Sequence, residues 1–139
     1  MTIQANVRWV QDLQFVGRAG DGPAVVIDST KGGSGAGPME LLLLGVAGCT
    51  AIDVVLIMEK KRARLTRFDV NIVGHRAEME PSRYTALEIE YVLAGENIKP
   101  KGVEQAIALS EEKYCSALAS LNASVTHSYR IESAVEEFG

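Results

Sequence analysis

Between Gly37 and Arg62 the chain reads GPMELLLLGVAGCTAIDVVLIMEKKR, and few folds accommodate such a segment. Gly37-Pro38 opens it, and proline suits a first helical turn because its missing N–H had no partner there. Glu40 puts negative charge near the positive end of the helix dipole, while Lys60, Lys61, Arg62 and Arg64 crowd the end where cations are favoured. Leu41 to Met58 is apolar on every face, with Thr50 and Asp53 the main interruptions, and a helix apolar all round is a buried helix. Cys49 sits mid-helix, flanked by Gly48 and Thr50, with Gly45 one turn earlier; small residues there let another element approach the sulfur. The uncharged run Leu41–Ile52 is far short of the roughly 20 apolar residues of a membrane span, so a core helix over 38–62 is expected, with no membrane.

A chain of 139 residues fits one domain with its own core. Net charge of −4 gives no reason to expect nucleic acid or an anionic membrane as a partner. MTIQANVRWVQDL has neither a basic start with an apolar core nor a small-residue cleavage site, so the cytoplasm is the expected compartment. Two cysteines do not make a secreted disulfide framework; a pairing between them points to redox chemistry.

In chain order, residues 3–28 read as an antiparallel meander, with a turn at Gln11-Asp12 and a loop over Gly17–Pro23. Lys31–Gly37 (KGGSGAG) lacks the Lys-Ser/Thr pair of a phosphate loop and reads as a linker. Phe68, Val70 and Ile72 alternate with Asp69, Asn71 and Val73, and Thr85, Leu87, Ile89, Tyr91 and Leu93 alternate with Ala86, Glu88, Glu90, Val92 and Ala94. This predicts a hairpin over 66–94 with one wet face. Val103, Ala106, Ile107 and Ser110 recur at helical spacing over 101–113, with Glu104, Gln105, Glu111 and Glu112 outward. The pattern breaks near Tyr114-Cys115; a short helix over 115–121, a last strand over 124–132 and an acidic tail follow. Strands and helices segregate, which predicts an α+β fold. One small sheet cannot cover every face of the central helix, so a second subunit, hence a homodimer, is expected.

At Pro38–Val55 (PMELLLLGVAGCTAIDVV) and Lys113–Leu121 (KYCSALASL) the sequence resembles the OsmC/Ohr family, the osmotically inducible and organic hydroperoxide resistance proteins. The resemblance implies antiparallel sheets wrapped around a buried central helix, in an intertwined homodimer with sites at the interface. It implies that Cys49 is the peroxidatic thiol and Cys115 the resolving one. It also implies an arginine from the N-terminal strands beside the thiolate, with Arg18 the better match and Arg8 the alternative. A peroxidatic thiol must be a thiolate, which becomes a sulfenic acid that a second thiol condenses with. Cys115, at the start of a helical segment, would gain thiolate character from the dipole. Cys49 in an apolar helix needs the cation.

Two positions depart from the family. Its peroxidases usually carry a glutamate directly after the proline, holding the arginine; here that residue is Met39, and the glutamate is Glu40. Nine residues at about 100° each put Glu40 on the face opposite Cys49. Ser116 stands where the family often has proline. Asp53, one turn beyond Cys49, either orients an arginine or is a paired buried carboxylate. Glu40 and Asp53 are therefore supporting candidates only. Free cysteines are often inert small hydrophobes, and the resemblance is what separates these from that class. His75 and His127 have no metal-ligand spacing with the cysteines, so no metal is expected. The Lys60–Arg67 charges complement the helix end.

Together these features predict a peroxidase for organic hydroperoxides, with no prosthetic group and an external dithiol as reductant. The rival is a redox-inactive dimer binding a small apolar ligand. Adjacent sulfurs would favour the first.

Overall fold

The computed structural model describes residues 1–29 and 31–133. The chain forms two compact units, Met1–Leu44 and Gly45–Gly139, with a single helix α1 (Pro38–Lys60) running through the boundary between them.

In the first unit β1 (Ala5–Gln11), β2 (Gln14–Ala19) and β3 (Val25–Ile27) form an antiparallel meander in that order, as expected. Asp12 turns the chain at φ 46°, and Trp9 Nε1–H donates to the Asp12 carbonyl at 2.7 Å. The loop expected from Gly17 begins later, because Gly17 is a strand residue between Val7 and Val25. A Cβ there would lie 3.1 Å from the Ile27 side chain, so glycine serves packing rather than a turn.

The glycine-rich linker wraps around its own anion. The buried Asp28 carboxylate accepts from the Ser29 and Ser34 N–H groups and from the Ser34 hydroxyl. The Ser34 hydroxyl in particular holds the Asp28 carboxyl below the usual carboxylate range. A Cβ on Gly32 would stand 2.3 Å from that carboxylate, so only glycine fits. The donors that a phosphate loop would offer a ligand are here turned on a side chain. At the start of α1 the Gly37 N–H donates to Glu40 Oε1 at 2.8 Å, the glutamate half of a capping box.

The second unit is built on a three-stranded sheet in the order β4 (Arg64–Arg76), β5 (Tyr84–Glu96), β6 (Ser124–Glu132). α1 stops where Arg62 adopts φ 64° and the Ala63 N–H reaches back to the Met58 carbonyl, a left-handed helix end. β4 and β5 are the expected hairpin, two residues longer at each end. β6 corrects the expectation of antiparallel sheets, because it pairs parallel to β5, from Ala86 opposite Ser124 to Ala94 opposite Glu132. The reason is the connection: α2 (Pro100–Leu109), a π-helical turn (Ser110–Tyr114) and α3 (Ser116–Ala119) carry the chain back to the end it left, as parallel pairing requires.

Val54 and Met58 of α1, Ile89, Tyr91 and Leu93 of β5, and Val103, Ala106 and Ile107 of α2 form the core. The predicted wet face of β5 holds only in part. Val92 and Ala94 are buried beneath a charged lattice of their cross-strand neighbours, Asp69 and Arg130, and Arg67 and Glu132. Arg130 pairs with both Glu90 and Glu132, and Arg67 with Asp69 and Glu132.

α1 also departs from the expectation of burial on every face. One stripe, Val46, Thr50, Val54 and Met58, is buried, whereas Leu42, Leu44, Ile52 and Leu56 are exposed. A Cβ on Gly45 or Gly48 would meet open space, so no other part of the described chain packs on those glycines. The acidic tail lies outside the described residues from 134 onward.

Candidate functional site

The second unit brings its two cysteines together from sequence positions 66 residues apart (115 − 49). Cys49 projects half-buried from α1, and Cys115 is 3% exposed at the N-cap of α3. The break in the helical pattern at Tyr114-Cys115 is the device that puts Cys115 there. After α2 the backbone widens into a π turn, and the Cys115 N–H donates to the Ser110 carbonyl five residues back at 2.7 Å. Cys115 itself is extended, with φ −75° and ψ 95°, so the chain turns sharply and aims the sulfur at α1. Widened turns of this kind recur at functional sites because they re-aim one side chain without ending the helix.

The two thiols are neighbours, and the Cys49 side chain helps hold the proton on Cys115. Both sulfurs and a carboxylate oxygen of Asp53 lie within 4.8 Å of one another. Asp53 reaches the pair because it follows Cys49 by one helical turn.

The Leu118 N–H points at the Cys115 sulfur, as the expected helix start implies, but it does not decide the thiol's acidity. Burial pushes the Cys115 thiol up to about 11, and the neighbouring Cys49 and Asp53 act in the same direction. The expectation that the dipole would make Cys115 a ready thiolate is therefore corrected. A four-residue helix has little dipole, and desolvation of the charged form outweighs it.

A polar chain that the sequence did not single out continues from Asp53. Ser110 donates to Asp53 Oδ2 at 2.9 Å; Thr50 Oγ1 lies 2.8 Å from Ser110 Oγ and 2.9 Å from the Tyr91 hydroxyl. Tyr91 donates to Glu111 Oε2 at 2.7 Å, and the other oxygen of Glu111 pairs with His127 Nδ1 at 2.9 Å. Thr50, Tyr91 and Ser110 are each 0% exposed, whereas the His127 side chain is 41% exposed. Burial pushes the Tyr91 hydroxyl well above the tyrosine range, so it stays protonated. Glu111 was expected outward; its side chain is only 12% exposed because the π turn rotates it toward Tyr91 and His127. The available signals were a hydroxyl and a carboxylate within an apolar helix, and a serine on the buried face of the next one.

Arg18 lies exposed on β2 opposite Asn6, and Arg8 on β1 opposite Val16, both within the first unit. Glu40, also there, is engaged in capping Gly37. Of the histidines weighed for metal, His75 pairs with Glu88 and His127 with Glu111. Cys49, Cys115 and Asp53 do present two sulfurs and an oxygen, a donor set zinc accepts. The same two thiols can instead close a disulfide.

Residues 31–130 match the family described as OsmC-like protein, and this chain belongs to that family. The Escherichia coli K12 protein YhfA is 36% identical over 134 residues, spanning 95% of this chain and all of that one. A crystal structure of a hypothetical protein from Aquifex aeolicus superimposes with a TM-score of 0.81 at 31% identity, covering 95% of this chain and 98% of that one. The organic hydroperoxide resistance protein OhrB of Bacillus subtilis shares the fold, with a TM-score of 0.62 at 13% identity over 94% of this chain and 98% of that one. α1, long and apolar enough to resemble a membrane span, is the core helix of this α+β fold.

Proposed function

We propose that this protein is a thiol-dependent peroxidase that reduces organic hydroperoxides in the cytoplasm as a homodimer. The observation that carries the reading is the proximity of the Cys49 and Cys115 sulfurs, within 4.8 Å of one another, since a two-cysteine cycle needs its sulfurs adjacent. The Cys49 thiolate attacks the terminal peroxide oxygen, the O–O bond breaks, and the alkoxide leaves as an alcohol after taking up a proton. The resulting sulfenic acid condenses with Cys115: an S–S bond forms, the S–O bond breaks, and water departs. Peroxide has then gained two electrons from two thiols. An external dithiol restores them by exchange, so no prosthetic group is required.

Arg18, with Arg8 the alternative, is the cation assigned to the Cys49 thiolate. Apolar walls around the helix favour a lipophilic peroxide. Family membership and the fold shared with a hydroperoxide resistance protein support the reading. Met39 in place of the family glutamate, with Glu40 committed to Gly37, favours a second one, a redox-inactive dimer holding a small apolar ligand.

Turnover separates the two. Cumene hydroperoxide should be consumed in the presence of a dithiol such as dihydrolipoamide. Cys49→Ser should abolish consumption, and Arg18→Ala should lower it roughly 100-fold or more through loss of thiolate stabilisation. No consumption by the unmodified protein would leave the binding reading.

A further inference from the structure

In the peroxidase reading, Cys115 must lose its proton before it can attack the sulfenic sulfur, yet it lies buried beside another thiol. We propose that Asp53, Ser110, Thr50, Tyr91, Glu111 and His127 form a proton relay that takes the Cys115 proton inward at Asp53 and communicates with solvent at His127. The inference rests on the two-cysteine reading for its chemistry and on the hydrogen-bond chain for its path.

Proton counting gives the chain its direction of use. Four links join Asp53, Ser110, Thr50, Tyr91 and Glu111, but the three hydroxyls bring only three protons. Ser110 spends its proton on Asp53 and Tyr91 spends its own on Glu111. Thr50 is left with one proton for two neighbours, so one link between the two carboxylates lacks a hydrogen. A proton delivered to Asp53 removes the shortage. Asp53 then donates to Ser110, Ser110 to Thr50, Thr50 to Tyr91 and Tyr91 to Glu111, and every link is filled. From that arrangement a concerted hop along the four links, each donor losing its proton to the next oxygen as it gains one from behind, leaves Asp53 ionised, Glu111 protonated and all three hydroxyls neutral, so no tyrosinate forms. His127, hydrogen-bonded to the far oxygen of Glu111 and open to water, is the exit. At the other end, Asp53 lies within 4.8 Å of both sulfurs, within reach of the Cys115 proton directly or through one water.

The step balances. Cys115 gives one proton to Asp53, and its sulfur then displaces hydroxide from Cys49. The hydroxide leaves as water by taking one proton back. The relay holds the proton between these two events.

Thr50→Val tests the path with little structural cost, because Ser110 and Tyr91 keep their carboxylate acceptors and valine fills the same volume. The rates of sulfenic-acid formation at Cys49 and of disulfide closure are measured in single turnovers with cumene hydroperoxide, and closure is measured in parallel with diamide. Thr50→Val should slow closure relative to the preceding step by roughly tenfold or more, on the scale of general-base effects. Thr50→Ser should restore it, and Tyr91→Phe should reproduce the defect. Closure in the valine and phenylalanine variants at the unmodified protein's rate would overturn the relay. If peroxide leaves the thiols untouched, the peroxidase reading fails by itself. Diamide closure in the same variants then still decides the relay, because Cys115 must lose the same proton.

Discussion

At the residue scale, the state of Cys115 sets the constraint on the rest. Its thiol is pushed up to about 11 from an ordinary value near 9, so the folded protein holds that proton more tightly than the unfolded chain does. The stabilisation is therefore fully present below about pH 9 and is lost as pH rises through about 11. Chemical denaturation of the reduced protein should show stability falling across that window. Cys115→Ala should remove that part of the slope; an unchanged slope would place the titration on another group. The same tight hold on the proton gives a resolving thiol its need for a nearby acceptor, and Asp53 is the carboxylate within reach.

At the scale of elements, much of this arrangement was legible in local pattern. The alternation through Leu87, Ile89, Tyr91 and Leu93 specified a strand, and the spacing of Val103, Ala106 and Ile107 specified a helix, because each repeats its period over several residues. The break at Tyr114-Cys115 was visible, but its form was not: a π turn and an α-helical end leave similar traces in sequence, and only the π turn rotates Glu111 inward. Parallel pairing of β6 was not anticipated: the strand–helix–strand order permits it, yet no residue of β6 announces its partner. The polar chain was harder still. Thr50, Tyr91 and Ser110 belong to three elements, and each alone reads as an ordinary hydroxyl at a core position; only the fold brings their oxygens within hydrogen-bonding distance. Gly17 illustrates the opposite error, since as the first of the glycines before Pro23 it suggested a loop where close packing on Ile27 was the cause.

At the scale of the whole molecule, the outward face of α1 carries the case for a partner. Ile52 is 64% exposed and Leu56 is 53% exposed on a helix whose composition belongs in an interior. Exposed large apolar side chains grouped on one face mark an interaction surface, and a second copy of this chain is the partner assigned here. Sedimentation should give about 30 kDa, twice the 15.0 kDa chain. Ile52→Glu combined with Leu56→Glu should shift the protein to the single-chain mass, because two like charges would face their copies across a two-fold contact. A single-chain mass for the unmodified protein would overturn the dimer.

In the proposed cycle Cys49 and Cys115 together give two electrons to a peroxide. Intact-mass spectrometry of the reduced protein after one equivalent of cumene hydroperoxide reads this directly. The protein should rapidly lose two hydrogens, with a sulfenic acid trapped on Cys49 in Cys115→Ser and no oxidation product in Cys49→Ser. Two unreacted thiols in the unmodified protein would contradict it.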